Sequence, residues 1–91
     1  MIQEDALQKI EAELRQAEQA RAGGNEGMAR VCARRAAGIA IRGFYQARGE
    51  QVRSTSAVDL LEQIRSDGRL PADIHTVAGH LLQHVTPEYQ L

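Results

Sequence analysis

The sequence predicts an all-α domain of four helices, and three observations carry that reading. Aromatic residues make up only 3% of the 91-residue chain, against a 43% hydrophobic fraction, so the interior must be built from Ala, Leu, Ile and Val. Strands favour β-branched and aromatic residues, whereas small and unbranched apolar side chains suit closely packed helices. Apolar residues recur at three-and-four spacing in successive segments, and each segment ends at a glycine or near a proline. The length allows one domain, residues 1–91, because dividing it would leave neither half a core.

The first segment places Ile2 or Ala6, Leu7, Ile10, Leu14 and Ala17 on one helical stripe and stops at Gly23-Gly24. Such a glycine supplies the positive φ that commonly ends a helix. Asn25 is a good N-cap for a second helix from Glu26 to about Arg48, ended by Gly49. The turn is short, so the first two helices are expected to be antiparallel neighbours. On a helical projection the second helix gathers Cys32, Ala33, Ala36, Ala37, Ala40, Gly43, Phe44 and Ala47 on one broad face of mostly small residues, with Ile39 at its margin. Gly38 and Gly43 each cost about 1 kcal/mol relative to Ala inside a helix, so close contacts are expected to compensate them. Glu50 to Thr55 reads as a polar loop. Ser56 and Asp59 have the spacing of a capping box, opening a short third helix with Val58, Leu60, Leu61 and Ile64. Asp67-Gly68 ends it. Pro71 suits the first position of a fourth helix, whose stripe is Ile74, Val77, Ala78, Leu81, Leu82 and Val85, with Thr86-Pro87 closing it.

The net charge of -1 gives no global reason to bind nucleic acid or anionic membrane. Its distribution is uneven. Arg30, Arg34, Arg35, Arg42, Arg48 and Arg53 lie in or just after the second helix, while the first holds Glu4, Asp5, Glu11, Glu13 and Glu18. The arginines read either as a phosphate-contacting face or as partners for the acidic first helix. A lone cysteine, Cys32, among small apolar residues reads as a buried small hydrophobe in a reducing compartment. The acidic, amphipathic N-terminus lacks the apolar segment of a signal peptide, and no apolar run approaches the roughly 20 residues of a membrane span. The expectation is a cytoplasmic protein without membrane contact. A domain this small buries only roughly 60–65% of its unfolded surface, which favours a homodimer.

The run Gly24 to Ala40, ending in Phe44-Tyr45-Gln46-Ala47-Arg48-Gly49, resembles the central helix of the higher eukaryotes and prokaryotes nucleotide-binding (HEPN) superfamily. The loop and short helix at Ser56–Ile64 and the segment Thr86-Pro87-Glu88-Tyr89 extend the resemblance along the chain in order of elements. It implies a helical bundle that often dimerises. It also implies a functional range from metal-independent ribonuclease to noncatalytic RNA- or nucleotide-binding partner of a nucleotidyltransferase, with toxin–antitoxin pairs among the settings. Where the family pattern has Glu and Lys in this helix, the chain has Gly38 and Arg42. The ribonuclease pattern of an Arg followed by a His matches only Arg69 and His75, with Pro71 between them and Leu70 in place of the usual polar neighbour.

Other constellations are sparse. His80 and His84 are one helical turn apart, a spacing at which two imidazoles can share a metal, but no Glu or Cys stands with them. Ser54, Thr55, Ser56 and Ser66 are accounted for by backbone capping. No cofactor motif is present. The expected function is a noncatalytic HEPN-like binding or adaptor module contacting RNA or nucleotide through Arg30, Arg34, Arg35 and Arg42. The alternatives are a degenerate ribonuclease centred on Arg69 and His75, and a structural bundle without ligand.

Overall fold

The structure, a computed structural model, describes residues 4–52 and 56–83. It is an all-α bundle of four helices: α1 (Glu4–Ala22), α2 (Glu26–Ala47), α3 (Ala57–Ser66) and α4 (Ala72–Leu82). Local chemistry sets most of their ends. At the end of α1 the Asn25 N–H donates to the Ala20 carbonyl at 2.7 Å and the Gly24 N–H to Arg21 at 3.0 Å. The same double bond closes α2, from Glu50 to Tyr45 at 2.9 Å and from Gly49 to Gln46 at 3.0 Å. Both are Schellman caps, and the residue at the turning point, Gly24 or Gly49, has φ of 82° or 73°. Asn25 Oδ1 accepts from the Met28 N–H at 3.0 Å, and Ser56 Oγ accepts from Asp59 at 3.4 Å, as the capping signals require. Pro71 stands one position earlier than expected, as the extended residue before α4.

Helix α2 is the centre of the fold. Among the described residues α1 touches α2 alone, while α3 and α4 pack on each other and on α2. Two faces of α2 are therefore covered, where the sequence reading expected one. Ala29 and Cys32, with Ala36 one turn on, lie toward α1, where Cys32 Sγ approaches Gln16. Ile41 and Tyr45 join Leu60, Leu61, Ile64 and Ala78 in the main core. The expected broad face ending at Ala47 is thus corrected: Ala47 is exposed, and the second buried strip runs Arg34, Gly38, Ile41, Tyr45. These positions follow helical spacing as well as the first set does, but an arginine and a glycine within the strip hid it.

Gly38 marks where α3 crosses α2. A Cβ there would lie 3.1 Å from Ala57 Cβ and 3.2 Å from Ala57 Cα, so the missing side chain lets the start of α3 approach the α2 backbone. Leu60 then inserts with 0% exposure and Leu61 with 1%. Burial of each such leucine is worth about 1.5–3 kcal/mol.

Two apolar stripes differ from expectation. In α1 the inward face is Ala6, Ile10, Glu13, Ala17 and Ala20, all half-buried, and Leu7 and Leu14 are turned outward at 46% exposure each. The small residues of α2 thus face Ala6, Ile10, Ala17 and Ala20, and the two leucines lie at the rim. In α4 Ala78 is buried, but Ile74 and Val77 remain exposed and the helix ends at Leu82, before Val85. Val85 and the Thr86-Pro87 stop lie outside the described residues.

Candidate functional site

Two arrangements of polar side chains define what the surface can do. The first is built around Asp67, the residue that ends α3. Its carboxylate, only 9% exposed, accepts the Tyr45 hydroxyl at 2.9 Å, the Arg69 backbone N–H at 3.0 Å and two guanidinium contacts from Arg69, at 2.9 and 2.7 Å. Arg69 reaches on to both oxygens of Glu50, at 2.9 and 3.3 Å. Glu50 also pairs with Arg48 at 3.3 Å, and the Arg48 guanidinium lies 5.1 Å over the Phe44 ring, which meets Tyr45 edge-on. His75 Nε2 lies 2.7 Å from the Asp67 carbonyl, and because a carbonyl only accepts, Nε2 holds the proton.

The electrostatics of this cluster follow from its contacts. The Arg69 side chain, then its backbone N–H, hold the Asp67 carboxyl well below the usual carboxylate range. Arg69 is raised in turn, first by Asp67 and then by Glu50, and stays charged at any accessible pH. Burial, then the hydrogen bond to Asp67, push the Tyr45 hydroxyl up to about 12. Two guanidiniums face two carboxylates, so the cluster offers no surplus positive charge to a phosphate.

The predicted catalytic pair is therefore brought to one place, with both residues already engaged. Arg69 is tied to two carboxylates and His75 to a main-chain carbonyl. They pin the α3–α4 turn to the end of α2, and neither is left as a phosphate anchor or a proton carrier aimed at an open cleft.

The second arrangement involves the four arginines predicted to bind nucleic acid, which do not form one patch. Arg34 is 7% exposed and belongs to the core, a correction to its expected place on a solvated flank. Its Nε donates to the Leu81 carbonyl at 2.8 Å and Nη2 to Gln83 at 3.0 Å, at the C-terminus of α4. A cation there satisfies carbonyls that the helix leaves open and meets the negative end of the macrodipole. Arg30 is exposed on a different side of α2. Arg35 and Arg42, seven positions apart, share the face toward α1. Arg35 pairs loosely with Glu13 at 3.9 Å.

Arg42 is half-buried and forms no hydrogen bond or ion pair among the described residues, and its Nε is enclosed without a partner. It lines a cleft of about 440 Å³ between the start of α1 and the end of α2, with Asp5, Lys9, Ile39, Gly43 and Gln46. Sequence reasoning named Arg42 but not this cleft, because Asp5 and Lys9 come to it only through the α1–α2 turn.

His80 is exposed near the end of α4, and His84 lies outside the described residues. Among the described residues no group of three or more His, Cys, Asp or Glu side chains is placed to hold a metal, and no helix is long and apolar enough to cross a membrane. No protein-family model, curated protein or solved structure matches the chain.

Proposed function

We propose that the chain is a noncatalytic, HEPN-like binding module that works as a homodimer and contacts RNA or nucleotide along the α1–α2 edge, through Arg35 and Arg42. The observation that supports it is the engagement of Arg69 and His75 in internal hydrogen bonds, set against Arg42, whose Nε is unpartnered among the described residues. The Arg35–Glu13 contact is long, at 3.9 Å, and the Arg35 side chain is half-exposed, so its guanidinium remains accessible to a phosphate. Arg34 is withdrawn from the contact set, and Arg30 acts as a peripheral charge. The face for a second copy is the rim of the α1–α2 contact, where Leu7 and Leu14 stand two turns apart and Leu14 borders a hollow against Ala29 and Ala33. Within the functional range the family resemblance implies, such a module serves as the partner of a nucleotidyltransferase, including in a toxin–antitoxin pair.

The test is retention and integrity of a mixed single-stranded RNA without added metal. The RNA should remain intact and be held at low salt. Arg35→Ala with Arg42→Ala should reduce the salt slope of binding by about 1.4, since each phosphate contact on a single strand contributes roughly 0.7. Degradation of the RNA that His75→Ala abolishes would instead establish the ribonuclease reading.

A further inference from the structure

We propose that the cleft between α1 and α2 is a binding site for a small organic oxyanion, a carboxylate or phosphate monoester, anchored by Arg42. This goes beyond the RNA-contact reading and does not depend on it. The guanidinium is a planar fork suited to two oxygens of one anion, and in this half-buried one Nε is enclosed without a hydrogen-bond partner among the described residues. The cleft's volume of about 440 Å³ falls in the range of small-molecule sites, roughly 300–1,000 Å³. Its walls divide the ligand into parts. Arg42 takes the anionic group, Gln46 adds an amide beside it, and Ile39 and Gly43 line an apolar stretch. At the α1 wall Asp5 and Lys9 pair with each other at 3.7 Å, both largely exposed.

That composition sets the ligand's chemistry. Among the described residues no aromatic ring lines the cleft, so they offer a nucleobase no stacking surface and recognition rests on the anionic end. At the far side the Asp5–Lys9 pair is neutral as a whole and loose, so a ligand hydroxyl or ammonium can exchange with Lys9 on the Asp5 carboxylate. The ligand is therefore a small oxyanion with a neutral or cationic remainder.

The experiment follows the arginine Nε–H resonances of the full chain by NMR, with acetate, inorganic phosphate and phosphoethanolamine titrated at matched ionic strength. The Arg42 signal should shift saturably, at concentrations on the order of 1 mM for a single anchored anion, while Arg15 and Arg30 do not follow. Acetate against phosphate decides which oxyanion is preferred. Phosphoethanolamine should bind more tightly than phosphate, and Asp5→Asn should remove that advantage. Read from the backbone amides of Gly43 and Gln46, Arg42→Gln should weaken binding at least tenfold with an unchanged melting curve, and Arg42→Lys should recover only part of it. A linear shift shared by all arginines would overturn the site. So would a large displacement of the Arg42 signal by Asp5→Asn without ligand, since Asp5 would then be the occupant. Phosphate binding without RNA retention would sink the RNA reading alone; RNA retention with a silent Arg42 would sink the oxyanion site alone.

Discussion

The two sides of α2 are built differently. On the α3–α4 side, side chains do the work: Leu60, Leu61 and Tyr45 are 0%, 1% and 1% exposed, and Arg34 and Asp67 satisfy the polar ends of the elements. On the α1 side a 19-residue helix runs along α2 without a single buried residue of its own. Ala, Gly and Cys bring the backbones close, but little apolar area per residue is removed from water, and Leu7 and Leu14 stay at the rim. One side is a closed structural core with its charges matched. The other is an open edge with an unpaired arginine.

Substitutions should separate the two sides. The largest effect is expected at Leu60→Ala, which empties a fully enclosed site and should cost about 2–5 kcal/mol in denaturant unfolding. Arg34→Ala comes next, at about 2–3 kcal/mol, because it leaves the Leu81 and Gln83 carbonyls without their charged donor. If Arg34 were a solvated surface cation, the same change would be nearly neutral.

The pH dependence should report the Asp67 cluster. The lowered carboxyl of Asp67 stabilises the fold above its unfolded value of about 3.9, and that contribution is lost as pH falls through the lower folded value. Tyr45 acts at the other end. Its hydroxyl is raised from 10.0 to about 12, so its contribution is intact below about 10 and is lost as pH rises toward 12. Tyr45→Phe should cost about 1 kcal/mol at neutral pH and remove this alkaline loss, read from melting curves across that window.

The smallest effect on the isolated fold is expected on the open side. Leu7→Ser with Leu14→Ser should change protomer stability by less than about 0.5 kcal/mol, since both side chains are nearly half exposed. The same pair should shift a sizing measurement from dimer to monomer. An unchanged dimer would place the second copy elsewhere.

What was legible in the sequence was local. Asn25, Ser56, Gly24 and Gly49 declare their caps within a few residues, and each cap is present as expected. What was not legible was long-range. Arg34 reaches a carbonyl 47 residues away, and nothing in its neighbourhood distinguishes it from Arg30 or Arg35. Arg69 and His75 do meet, but only through Asp67, which makes them a structural tie. Periodicity found the apolar stripe of α1 without its orientation, because Ala6, Ile10 and Ala17 and the pair Leu7 and Leu14 both follow helical spacing and only the packing on α2 chooses between them.

Backbone hydrogen exchange with and without a single-stranded RNA tests the division between the two sides most directly. The account expects added protection along α1 and the Arg35–Ala47 stretch of α2, with Asp67–His75 unchanged. Protection centred on Asp67–His75, with the α1–α2 edge silent, would contradict it.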